Sequence, residues 1–170
     1  NRSLLRHPFY PDAHPQGLSI PMILGNTVAE TRAFFPPGHR LLQGLDWNNL
    51  PTRLGPELRV DISPEEVVAA YREWFPAYNA AEVFIAATTA GRSWRGQIIE
   101  AEERAKAGAP AYVYQLDFER AQHTDDIGLV FGTTPNMSPA RRALSGRMMK
   151  AFIDFARTGT PGWPAYEVAS

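Results

Sequence analysis

The chain holds 170 residues, 44% of them hydrophobic and 21% charged, with a formal net charge of −1 and no cysteine. A chain of this length suits one ordinary domain that buries roughly two thirds of its unfolded surface, and its composition excludes a disordered or fibrous protein, a disulfide framework and thiolate metal sites. Acidic and basic residues are interspersed, so nothing points to nucleic acid or an anionic membrane, and a small neutral partner fits better.

The opening residues, Asn1-Arg2-Ser3-Leu4-Leu5-Arg6-His7-Pro8, contain no Met and no apolar leader segment, so a chain cut from a longer one is expected. No apolar run approaches the ~20 residues of a membrane span. The compartment, cytoplasmic or secreted, stays open.

Residues 7 to 21 are rich in proline, which favours an irregular connection. Pro21-Met22-Ile23-Leu24-Gly25 then reads as a buried strand bounded by breakers. Residues 36 to 62 carry Pro, Gly, Asn and Leu without a sustained period, which predicts loops and short helical turns. Ser63-Pro64-Glu65-Glu66 is a capping-box pattern that opens a helix with Val67, Tyr71, Trp74 and Phe75 along one face. Pro76 stops it.

A second short helix is expected over 80–87. A third is expected over 97–107, with Ile98, Ala101, Glu102 and Ala105 sharing a side and Gly108 as terminator. Ala111 to Phe118 (AYVYQLDF) is the strongest strand signal. A loop follows over 119–126. The last long helix is expected from Ser138-Pro139 to about Thr158, with Leu144, Met148, Phe152, Phe155 and Ala156 at helical spacing. Two strands among helices imply an α/β class with an incomplete sheet.

Two stretches just past predicted strands hold the groups that could carry chemistry, since open α/β sheets place functional groups there. One contains Glu30 and the other His123. A serine hydrolase needs a base near neutral pKa and a carboxylate that fixes the imidazole tautomer. An isolated glutamate after a strand is ordinarily a solvated or capping carboxylate, and a loop histidine is ordinarily an exposed polar residue. A metal reading of His123-Thr124-Asp125-Asp126 lacks a second histidine cluster. His7, His14 and His39 are assigned no role. The aromatic set Phe34, Phe35, Trp47, Trp74, Phe75, Phe84 and Trp94 is read as mainly core.

Four segments together resemble one family. Ile20-Pro21-Met22-Ile23-Leu24-Gly25-Asn26-Thr27 followed by Glu30 looks like the stretch of type B carboxylesterases that ends in the triad Glu. His7-Pro8-Phe9-Tyr10-Pro11-Asp12-Ala13 resembles the loop upstream of it. Gln122-His123-Thr124-Asp125-Asp126-Ile127 with Val130-Phe131-Gly132 is similar to the triad-histidine segment shared with cholinesterases. Ala151-Phe152-Ile153-Asp154-Phe155-Ala156-Arg157-Thr158-Gly159 with Trp163-Pro164-Ala165-Tyr166 resembles the closing helix and loop. Asp126 stands where many members have Glu, and Gly128 where Pro or a larger residue is common.

The resemblance implies the carboxyl-terminal portion of a single α/β-hydrolase domain over residues 1–170. It implies Glu30 and His123 as acid and base of a Ser-Glu-His triad, no cofactor, and a small carboxylic ester as substrate. The nucleophile's Gly-x-Ser-x-Gly elbow is absent from the sequence; Ser93 in Gly91-Arg92-Ser93-Trp94-Arg95 lacks the second glycine and lies between acid and histidine, out of the family order Ser, acid, His. The glycine-rich oxyanion loop is absent too. The partner implied is therefore the missing amino-terminal portion, and the fragment alone is expected to be inactive. Two alternatives stand beside this reading: a non-catalytic, cholinesterase-like binding or adhesion module, and a structural piece that pairs with another chain.

Overall fold

The computed structural model describes residues 6–168; Asn1 to Leu5, part of the opening segment, lie outside them. The elements run β1 (Met22–Thr27), α1 (Leu50–Leu58), α2 (Pro64–Trp74), α3 (Ala80–Thr89), α4 (Arg95–Lys106), β2 (Ala111–Leu116), α5 (Asp125–Val130) and α6 (Pro139–Thr158). Among the described residues β1 and β2 form a two-stranded sheet. Its end bonds, Met22 N–H to Pro110 C=O at 3.2 Å and Val28 N–H to Leu116 C=O at 2.9 Å, advance by equal steps along both strands. The strands are therefore parallel and both finish at the same sheet edge. The chain resolves into two compact units.

The first unit comprises residues 1–25, 97–115 and 124–170. Tyr112 and Tyr114, two apart on β2, share a face. Their rings meet Phe155 and Phe152 of α6 edge-on at 6.0 and 5.9 Å. Gly25 lets Tyr114 lie flat over β1, because a Cβ there would fall 2.0 Å from the ring. On α4 the buried positions are Gln97, Ala101 and Arg104, not the Ile98, Ala101, Glu102 and Ala105 stripe expected. Two polar side chains take the inward face because backbone carbonyls await them there. Arg104, 2% exposed, donates to the carbonyls of Gly17 at 3.1 Å, Ile20 at 2.5 Å and Pro110 at 3.4 Å. Gln97 donates to Tyr114 C=O at 3.2 Å. The last helix starts and stops where expected, with Ser138 accepting from Arg141 N–H and Gly159 at φ 79° closing it. Its fully buried residue is Ser145, bonded to Leu129 C=O of α5 at 2.7 Å; Phe152 and Phe155 are half-buried and Ala156 is exposed.

The second unit comprises residues 26–96 and 116–123. Its core is Leu50, Leu54, Leu58, Val83 and Phe84, all 0–2% exposed. The helix α1 forms in a stretch read as loops and short helical turns, and runs nine residues despite Pro51, Gly55 and Pro56. Leucines at i, i+4 and i+8 bury completely, each worth about 2 kcal/mol, and that outweighs poor propensity. At α2, Ser63 accepts from Glu66 N–H at 3.2 Å, but its hydroxyl turns to Glu65 at 3.1 Å, so only half of the expected capping box forms. Asn79 and Glu82 make the complete box at α3.

A π-helical turn, Ala90–Trp94, joins α3 to α4 and contains Ser93. Gly91 passes so close to α1 that a Cβ would lie 2.5 Å from Leu58 C=O. Beside it Arg92 donates to Glu57 C=O at 2.9 Å and pairs with the Glu57 carboxylate. Of the seven aromatics read as core, Phe35 and Phe84 are buried and Trp47 is half-buried, whereas Phe34, Trp74, Phe75 and Trp94 are 42–67% exposed. Tyr71, Phe75 and Tyr78 stack on one another instead, which lifts the Tyr71 hydroxyl's pKa through burial and the nearby Tyr78.

Candidate functional site

The residues past both strands belong to the second unit, and a continued backbone ladder aligns them. After Val28 and Leu116, Ala29 N–H bonds Ala121 C=O at 2.9 Å, and His123 N–H bonds Glu30 C=O at 3.3 Å. Residues 117–120 loop out of this ladder, with a short 3-10 turn at Phe118–Arg120. The ladder thus brings Glu30, three residues past β1, level with His123, seven past β2.

Their side chains meet. The Nδ1 of His123 is hydrogen-bonded to Glu30 Oε1. A carboxylate only accepts, so Nδ1 carries the proton, and the neutral ring presents Nε2 as its basic nitrogen. The Glu30 side chain is 16% exposed and that of His123 47%, so the ring has one flank fixed and the other open. Phe34 supports it, with ring centroids 5.0 Å apart. This arrangement can take a proton at Nε2 and stabilise the resulting imidazolium against a fixed carboxylate.

The shape of the histidine loop costs local strain. Glu119, Arg120 and Thr124 have φ of 52°, 53° and 72°, a region that costs non-glycine residues roughly 1–2 kcal/mol each. The guanidinium of Arg32, from the 3-10 turn Glu30–Ala33, offsets part of this by donating to Arg120 C=O and, at 3.4 Å, to Gln122 Oε1. Arg120 in turn pairs with Glu82 at 2.6 Å. Glu82 therefore sits below the usual carboxylate range, held there by the Asn79 backbone N–H and by Arg120.

The turn carrying Glu30 is pinned to α3 by buried threonines. Thr31 Oγ1 lies 2.7 Å from Thr88 Oγ1, 3.0 Å from Thr89 Oγ1 and 3.0 Å from Ile85 C=O. Thr31 N–H donates to Thr89 Oγ1 at 3.2 Å. Sequence reasoning missed Arg32, Thr31 and Thr27, whose only signal was closeness to Glu30. An apolar cleft of about 380 Å³ lies beside the turn, walled by Phe35, Leu42 and Ile85 with Arg32, Glu82 and Arg120 at its rim. Neither Glu30 nor His123 lines it. His7, His14 and His39 each accept a local backbone N–H at Nδ1. Among the described residues no three His, Asp or Glu side chains converge as metal ligands would, and no helix is long and apolar enough to cross a membrane.

No family model matches the chain. It is 35% identical to carboxylesterase 4A of Bos taurus over a stretch covering 35% of this chain and 14% of that protein. It is 31% identical to carboxylesterase 5A of Homo sapiens over 42% of this chain and 17% of that protein. A solved carboxylesterase of Geobacillus stearothermophilus superposes with a TM-score of 0.81 and 27% identity, covering 98% of this chain and 38% of that one. A PNB esterase shares the fold with a TM-score of 0.63 and 22% identity, over 90% of this chain and 33% of that one. The chain thus spans well under half the length of these relatives.

Proposed function

We propose, for a chain that belongs to the carboxylesterase-like α/β-hydrolases, that it supplies the acid and the base of a serine ester hydrolase. Glu30 is the triad acid and His123 the base. The serine nucleophile and the oxyanion-hole amides come from an amino-terminal portion of the same domain, which is the chain's partner. The observation that carries this reading is the hydrogen bond between His123 Nδ1 and the Glu30 carboxylate, made by a ring whose other flank is open.

The chemistry follows from that geometry. His123 Nε2 takes the serine hydroxyl proton as the oxygen attacks the ester carbonyl, and Glu30 stabilises the imidazolium. The proton passes to the departing alkoxide, leaving an acyl-enzyme. Nε2 then deprotonates water, which attacks the acyl carbon, and the proton returns to serine as the carboxylic acid leaves. The reaction needs no cofactor.

In the intact protein, His123→Ala is expected to lower kcat for a short-chain p-nitrophenyl ester by three orders of magnitude or more, and Gly-x-Ser-x-Gly is expected on the amino-terminal side. Retained turnover in that variant refutes the assignment.

A further inference from the structure

We infer that Thr27 is a positioning residue for the Glu30 carboxylate, reserving one oxygen for the imidazole by holding the other; the inference rests on the triad roles proposed above. The two oxygens of Glu30 are divided between two partners. Oε1 takes His123 Nδ1, and Oε2 accepts the Thr27 hydroxyl at 2.5 Å, with the Thr27 N–H also directed at it from 3.4 Å.

A glutamate alone would not hold this arrangement. Its terminal torsion is broad and roughly two-fold, so a carboxylate bound through one oxygen can swing and carry the imidazole bond out of line. Thr27 supplies the second point of attachment from a rigid base. It closes β1, is 1% exposed, and is followed by the ladder bond from Val28 N–H to Leu116 C=O at 2.9 Å. Its branched Cβ restricts χ1, which fixes the hydroxyl's direction. The donor is neutral, so it orients the carboxylate without competing with the imidazolium for its charge.

A threonine buried at a strand end could serve packing alone, and the two roles predict opposite orders of severity. Thr27→Val keeps shape and volume but loses the donor. Thr27→Ser keeps the donor but leaves a methyl-sized void. In the intact protein, Thr27→Val is expected to lower kcat roughly ten- to hundredfold, the effect of one hydrogen bond to a charged group, with KM nearly unchanged. Thr27→Ser is expected to stay within a few-fold of wild type. The downfield His123 Nδ1 proton resonance is expected to persist in the serine variant and to move upfield or broaden away in the valine variant. Should the valine variant fail to fold, Thr27→Ala against Thr27→Ser makes the same comparison. Wild-type kcat in the variant lacking the hydroxyl, or equal impairment in the serine variant, overturns the inference. Full activity in His123→Ala would instead overturn the triad reading on which it rests, so the two failures are distinguishable.

Discussion

Thr31→Val tests whether the buried threonines hold the turn that carries Glu30. Thr31 is 0% exposed, and its hydroxyl is central to the cluster. The Thr88 hydroxyl already has Phe84 C=O as an acceptor at 2.8 Å. Thr31 is therefore left to donate to Thr88 Oγ1 or Ile85 C=O and to accept from Thr89. Valine fills the same volume, so no cavity term enters. It strands the Thr89 proton, at about 2 kcal/mol, and removes the hydrogen bond that Thr31 donates to Thr88 or Ile85, at about 1 kcal/mol. The added methyl returns about 0.8 kcal/mol. The net expectation is a loss of about 2 kcal/mol, read as a lower urea midpoint at unchanged m-value. Thr89→Val removes the acceptor of Thr31 N–H as well and should cost a similar amount. The double variant should cost about 1 kcal/mol less than the sum, because the Thr89 hydroxyl that Thr31→Val strands is gone from it, whereas the Thr31 N–H loses its acceptor whether or not its own side chain is changed. A Thr31→Val protein within 0.5 kcal/mol of wild type, or strict additivity, would refute the account.

Two further expectations follow from the second unit. Gly91→Ala should destabilise by about 1–3 kcal/mol, although alanine is the better helix former, because the obstructing atom is the Leu58 backbone carbonyl 2.5 Å from the new Cβ and cannot rotate aside; a stabilised variant in thermal unfolding would contradict this. Glu82→Gln should lower stability at pH 7 and do so by less at pH 3. The folded-state pKa of Glu82 is depressed, so its contribution is complete above the ordinary carboxylate range and is lost as pH falls through the folded value. A variant-to-wild-type difference in urea midpoint that is the same at both pH values rules this out.

Signals carried by a few neighbouring residues were legible in the sequence. The start of α6 at Ser138-Pro139, the αL terminator at Gly159 and the strand core at Ala111–Leu116 each depend on local backbone chemistry. What periodicity did not give was which faces are covered, because an apolar stripe is buried only where another element packs on it. Hence α1 formed in a proline-rich stretch where three leucines found a core, while Trp74 and Trp94 stand 67% and 46% exposed. Arg104 and Gln97 occupy inward positions for the converse reason, since a backbone carbonyl can accept a second hydrogen bond, which makes a buried donor beside it favourable.

The pairing of Glu30 with His123 was legible for a different reason, one of topology. Two parallel strands finish at the same edge, so groups a few residues past each end fall side by side however long the intervening chain. That argument places backbones and stops there. It cannot foresee that residues 117–120 loop out so that Ala121 and His123 stay in register with Ala29 and Glu30. Nor does it foresee that a threonine occupies the carboxylate's second oxygen. The first depends on left-handed conformations at Glu119 and Arg120, which no residue type there announces. The second depends on one rotamer of one β-branched side chain. Nearness is a property of the fold, while alignment of the imidazole belongs to a handful of hydrogen bonds, and a substitution such as Thr27→Val is able to separate the two.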